Sequence, residues 1–276
     1  GNLLLNNTSA SVEKCEISNS GNVGVYCRAS CLASLVENTI HSNPSHGLYA
    51  EDSYNTVLDP LPIRGNEIRG TQAGAAINVN ANTACSIASD NFVHDNANNG
   101  VEIREGALGV SGTWHRVSAG NCPFIITRRT WFSAPTALTI EPGVTVKFRT
   151  GAWLEVAGPM TAQGTDANRI AFTSIKDDSF GGDTNGDSSA TSPAGADWKE
   201  VTVYGSGGAS QFAYCIFRYG GNASHADYGG FWHYSDGNVY LNGVAPSFDH
   251  CEFSFSGRDG VANAGADATY QSCTFA

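Results

Sequence analysis

The sequence predicts an all-β solenoid: a cylinder of stacked parallel strands, three short strands to a coil, with long loops inserted at some turns. Three observations carry that fold class. A short motif returns at intervals of about two dozen residues, turn-forming residues crowd the composition, and no window shows the three-and-four apolar spacing of an amphipathic helix.

The motif is Asn or Cys, one variable residue, then a large apolar residue. It occurs as Cys15-Glu16-Ile17, Asn38-Thr39-Ile40, Asn66-Glu67-Ile68, Asn91-Phe92-Val93, Cys215-Ile216-Phe217, Cys251-Glu252-Phe253 and Cys273-Thr274-Phe275. Nine positions on, four copies reach a Gly and an apolar residue, at Gly24-Val25, Gly47-Leu48, Gly100-Val101 and Gly260-Val261. The Asn66 copy reaches Gly74-Ala75 one residue early. The first four copies lie 23, 28 and 25 residues apart, and the last two 22 apart. Three strands and three turns need about that length, and like positions of neighbouring coils then stack about 4.8 Å apart. The uneven spacing places insertions in some turns. No leucine-rich consensus is present, and a propeller blade needs about 40 residues.

Composition agrees with this. Hydrophobic residues make up 41% of the 276, enough for a long core, and charged residues only 15%. Gly, Asn, Ser and Thr fill much of the rest and suit turns that need positive φ. The net charge of −11, with acidic groups spread along the chain, disfavours a nucleic-acid partner, which requires clustered Lys and Arg. No segment approaches the roughly 20 apolar residues of a membrane span. The chain opens at Gly1 inside a patterned segment, holds Met160 as its one methionine and ends within the pattern again, so it reads as a piece of a longer protein with further domains.

The Asn/Cys position has a physical meaning. A buried Asn in a turn satisfies its amide by bonding the backbone and its own copy in the next coil, so Asn38, Asn66 and Asn91 are expected to form consecutive rungs of a ladder. Cys15, Cys215, Cys251 and Cys273 fill the same site as small buried thiols with no chemical duty. Cys27 and Cys31 fall at a turn, where they can bridge or stay free, and Cys85 and Cys122 read as core residues.

Longer segments add a resemblance. Leu138-Thr-Ile-Glu-Pro-Gly-Val-Thr-Val-Lys-Phe148, Ala171-Phe-Thr-Ser174, Asp177-Asp178, Gly182-Asp-Thr-Asn-Gly-Asp187 and Asp197-Trp198 resemble bacterial right-handed parallel β-helix repeat proteins. The likeness is close over residues 111–276, and the ladder extends it over 1–110. It implies a right-handed parallel β-helix that is secreted or held at the cell surface, often as part of a large modular chain. In that family the Leu-Thr-Ile-Glu-Pro-Gly-Val segment tends to open a helical unit. Two abutting and continuous units, 1–110 and 111–276, are therefore expected, with a seam near Gly109–Gly112. Such a family label implies fold and location, not one activity.

Three local features are candidates for function. In Asp177-Asp-Ser-Phe-Gly-Gly-Asp-Thr-Asn-Gly-Asp187, the alternating Asp183, Asn185 and Asp187, with Gly186 easing the turn, look like the start of a Ca²⁺ loop. Asp177 and Asp178 can add oxygens. No Glu stands at the twelfth position, so this is not an EF-hand; a structural Ca²⁺ is the expected cofactor, against a merely solvated acidic turn. The residues three after the ladder position, Ser18, His41, Arg69, His94, Arg218 and Ser254, face outward. His41, Arg69 and His94 would line one sheet face, either as a stripe for an anionic polysaccharide or as ordinary polar exterior. The insertion 220–241 holds His225, Asp227, Tyr228, Phe231, Trp232, His233, Tyr234 and Asp236. His225, Asp227, Tyr228, Trp232, His233 and Tyr234 are its candidate glycan contacts, the other reading being packing or a protein interface.

No catalytic residue stands out. Four lysines are present, carboxylates are scattered, and no Gly-x-Ser-x-Gly, zinc-binding His pair or phosphate-binding loop occurs. The expected role is a structural or binding module of a larger extracellular or cell-surface protein contacting carbohydrate or another surface component. The alternative is a polysaccharide lyase or glycoside hydrolase on the same scaffold.

Overall fold

A computed structural model of the chain describes residues 1–29, 31–51, 63–222, 225–226, 232–233 and 237–276. One parallel sheet of eleven strands runs from Leu3–Asn6 to Thr274–Phe275, so the chain makes about ten turns of a parallel β-solenoid. Its strands include Val25–Arg28, Ala75–Val79, Phe124–Ile126, Thr145–Phe148, Ile170–Ser174, Cys215–Arg218 and Glu252–Ser254. Register pairs like with like at every step: Leu3, Val25, Leu48, Ile77, Val101, Phe124, Val146, Phe172, Phe217, Phe253 and Phe275 form one inward column. In its C-terminal part the column is an aromatic stack, with ring centroids 4.6 Å apart for Phe172–Phe217 and 5.3 Å for Phe217–Phe253. That spacing is the strand repeat itself, so in-register pairing stacks the rings.

The side walls change along the axis. In the N-terminal part they are a three-stranded sheet, Ser11–Glu13, Ser34–Val36 and Ile63–Arg64, and a four-stranded sheet, Glu16–Ser18, Thr39–His41, Glu67–Arg69 and Phe92–His94. From Gly106 onward two six-stranded sheets replace them while the long sheet continues unbroken through Val101–Phe124 pairing. Among the described residues the α-helical content is the single turn Ala81–Ala84, capped by Asn80.

The amide ladder is present. Asn38 Nδ2 donates to Asn66 Oδ1 at 3.0 Å, and Asn66 Nδ2 to Asn91 Oδ1 at 3.0 Å. Each amide also donates to the backbone of the coil below, Asn38 to Val12 O, Asn66 to Leu35 O and Asn91 to Ile63 O, all at 2.8 Å. The cysteine copies repeat the second bond with one weak donor: Cys215 reaches Ala162 O at 3.2 Å, and Cys251 and Cys273 reach Phe212 O and Phe248 O at 3.5 Å. In six of the seven copies the preceding residue has positive φ, as at Glu37, Tyr214 and His250, so the motif encodes a turn. The glycines of the motif answer a different need: a Cβ at Gly47 would lie 2.5 Å from Ile68 Cγ2 and 3.0 Å from Ala76 O of the next coil.

Two expectations need correction. The seven copies do not form one column, because the strands after Cys15, Asn38, Asn66 and Asn91 lie in the four-stranded side wall, whereas those after Cys215, Cys251 and Cys273 lie in the long sheet. The turn is common to both halves, but it precedes a different strand of the three-strand coil in each. Arg218 and Ser254 thus leave the predicted His41, Arg69, His94 column, which itself is in register. Cys15, expected to be buried, is exposed at the first rung, and Cys273 is half-buried. Cys27 and Cys31 are buried and form no disulfide; the neighbouring Cys31 thiol and burial push Cys27 up.

Candidate functional site

Two long connections join the long sheet to the same six-stranded sheet. One follows Ile170–Ser174 and leads into Val201–Tyr204; the other follows Cys215–Arg218 and leads into Gly237–Asn242. They are the acidic loop and the predicted insertion.

The acidic loop lies back against the long sheet. Lys147, with no exposed surface, donates from Nζ to Gly182 O at 2.7 Å, and a Cβ at Gly186 would fall 2.4 Å from Ala97 O. Burial lowers the Lys147 amine to about 8, with Asp177, Asp178 and Asp183 acting in the opposite sense. Asp178, Asp183 and Asp187 bring one carboxylate oxygen each within 4.8 Å of one another. Asp177 stands apart: burial works to raise its carboxyl, but Thr173, Ser179 and the Arg218 fork at 2.6 Å hold it below the usual range. Asp183 Oδ1 and Oδ2 accept the amides of Gly186 and Ser188 at 2.8 Å, which fixes the turn. Asp178 Oδ1 and Asn185 Oδ1 are buried with no donor. Five carboxylates, Asp177, Asp178, Asp183, Asp187 and Asp197, meet three cations here, Arg218, Lys176 and Lys147, leaving two negative charges.

Of the insertion, the backbone of His225 and Ala226 pairs antiparallel with His233 and Trp232. Asp227, Tyr228 and Tyr234 lie outside the described residues, as do the side chains of His225, Trp232 and His233.

A cluster that the sequence pattern did not reveal lies on the outer face of the six-stranded sheet the two connections lead into. Along Arg129–Ser133 and Trp153–Ala157, alternation turns Thr130, Phe132, Leu154 and Val156 inward and Arg129, Trp131, Trp153 and Glu155 outward. Register sets Arg129 beside Trp153 and Trp131 beside Glu155, then Glu155 beside Thr202 and Thr202 beside Tyr240. The centre is an ion pair with side-chain exposures of 12% and 5%: Arg129 Nε and Nη2 each donate to Glu155 at 2.7 Å. Trp153 Nε1 donates to Glu155 Oε1 at 2.7 Å and Tyr204 OH lies 3.3 Å from Oε2. Burial works to raise the Glu155 carboxyl, and these donors outweigh it and hold it ionised, below the usual range. So engaged, Glu155 is a fixed anion that orients its neighbours. Arg129 lies over the Trp131 ring at 4.3 Å, and Lys199 Nζ over Trp153 at 3.7 Å. Trp131, Trp153, Tyr204 and Tyr240 are each half-buried, so the aromatics are oriented by their neighbours and keep surface in solvent. The only sequence signal is a Trp or Tyr at an outward position of four successive strands, legible only once the register is known.

The outward stripe of the N-terminal wall is paired within itself. His41 Nε2 meets Glu16 at 2.9 Å, His94 bridges Glu67 at 3.1 Å and Asp95 at 2.8 Å, and Arg69 also meets Glu67 at 3.1 Å. Its imidazole and guanidinium nitrogens are engaged by its own carboxylates.

Residues 1–111 match the family model for the right handed beta helix region. No curated protein and no solved structure gave a significant match. No helix among the described residues is long and apolar enough to cross a membrane. The family match thus covers the N-terminal coils, and the long sheet carries the same parallel β-solenoid architecture on to the last strand.

Proposed function

We propose that this β-helix is a carbohydrate-binding module of an extracellular or cell-surface protein. The observation that carries the reading is the ordered aromatic face: Trp131, Trp153, Tyr204 and Tyr240 arranged around the buried Arg129–Glu155 pair. Sugar rings present C–H faces that stack on indoles and phenols, and indoles already fixed by hydrogen bonds and cations lose little entropy on binding. The Trp153→Ala and Trp131→Ala proteins are each expected to lose about 10- to 30-fold in affinity for a retained glycan, the range of an anchoring Trp. Affinity electrophoresis against a panel of polysaccharides measures this, with circular dichroism to check the fold. Wild-type retention by both variants sinks the proposal.

A second reading concerns the acidic loop, for which we propose a structural Ca²⁺ held by Asp178, Asp183 and Asp187 with Asn185. Two orphaned oxygens and a residual charge of two negatives support a divalent cation there. Calorimetric titration of chelated protein with Ca²⁺ is expected to give saturable heat that is lost in Asp183→Asn; no heat at millimolar Ca²⁺ removes the idea.

A further inference from the structure

We infer that the ligand of the aromatic face is a neutral glycan chain lying along the helix axis, and not an acidic polysaccharide. This deepens the proposal above and rests on its reading of the face as a glycan site.

Direction follows from the register. The four aromatics come from four successive strands of one sheet, those containing Trp131, Trp153, Tyr204 and Tyr240, and successive strands step about 4.8 Å along the axis. Trp131 and Tyr240 share one row across the strands, with Trp153 one outward position to one side and Tyr204 one to the other. A chain crossing the strands therefore passes an aromatic on or beside its path at each step, whereas one running along a strand meets one. The face therefore spans about 15 Å in the direction that carries its aromatics.

Chemical class follows from charge. Recognition of uronate or sulfate groups takes cations aimed at the ligand. On this face two cations, Arg129 and Lys199, stand among two buried carboxylates, Glu155 and Glu200. Both nitrogens of the Arg129 fork are spent on Glu155, and Lys199 covers Trp153 in the field of Glu200 and Glu155. What the face exposes besides rings is hydroxyl and amide: the phenols of Tyr204 and Tyr240 and the Asn242 side chain. Those groups match sugar hydroxyls. The whole chain, at −11, repels a polyanion before contact.

The test is equilibrium binding of the whole chain to neutral polymers (xyloglucan, galactomannan, a β-1,3-glucan) and to acidic ones (polygalacturonate, alginate, heparin). Each is measured at about 20 mM and 300 mM NaCl, where a charge-driven contact is strongly screened. Wild type is expected to bind at least one neutral polymer, with affinity changing less than about twofold between the two salts. Trp131→Ala, Trp153→Ala, Tyr204→Ala and Tyr240→Ala should each weaken it, the Trp variants by about tenfold or more. Salt-sensitive binding to an acidic polymer that Trp153→Ala abolishes would overturn the neutral class and keep the site. Loss in only one of the four variants would overturn the axial path. Binding unaffected by all four, or absent for every polymer, would overturn the class together with the glycan reading beneath it.

Discussion

Replacing Glu155 by Ala is expected to destabilise the protein by about 3–5 kcal/mol, the range for breaking a buried, hydrogen-bonded ion pair. The change removes the carboxylate that both Arg129 nitrogens address at 2.7 Å, and with it the acceptor for Trp153 Nε1. A guanidinium only 12% exposed finds little water to replace it. The pair itself need not be a net source of stability, since its desolvation offsets much of its attraction. Replacing both partners together, Arg129→Met with Glu155→Leu, should therefore cost less than Glu155→Ala alone. Urea unfolding midpoints of the three proteins decide the matter. A single-variant loss below about 1 kcal/mol would place the pair with ordinary surface ion pairs. The same double variant should bind glycan poorly even where it is stable, because Trp153 loses the bond that orients it.

Asn66→Ala is expected to cost a similar amount, about 3–5 kcal/mol, for a different reason. The Asn66 side chain is 1% exposed and links three coils: it accepts from Asn38 N and Asn38 Nδ2 at 3.0 Å and donates to Leu35 O and Arg64 O. Alanine withdraws both its donors and its acceptor, and each buried group so abandoned costs about 1–3 kcal/mol. Asn66→Cys should cost less than alanine, because a thiol keeps one donor toward Leu35 O, as Cys251 does toward Phe212 O at 3.5 Å. Equal losses for the two variants would show that amide packing, and not backbone donation, holds the turn. In a stack whose coils touch only their neighbours, the damage should be largest at the rungs on either side, which hydrogen exchange of the Asn38 and Asn91 amides resolves.

The ladder was the most legible part of this protein. A residue that must bond its own copy one coil away has to recur, and recurrence is visible in a linear string; Asn38, Asn66 and Asn91 were identified that way and are stacked. The cysteines occupy the same kind of turn, as their pattern predicts, but do not join the asparagines in one column. Their local chemistry, a positive-φ residue followed by a small donor, carries no information about which sheet comes next. The acidic loop shows the same division. Its composition marked it, but that Asp177 turns to Arg218 while Asp178, Asp183 and Asp187 converge depends on a strand 41 residues away.

What the sequence alone determined is the repeat and its consequences: parallel strands, stacked turns, an inward apolar column and an acidic insertion. Those follow from spacing and from the need of each buried polar group for a partner. The tertiary structure decided the side-wall change near Gly106 and the outward meeting of Trp131, Trp153, Glu155 and Tyr240. Outward positions face solvent one coil at a time, so no periodic constraint marks them in the chain. Only the register, set by the packed interior, brings them side by side.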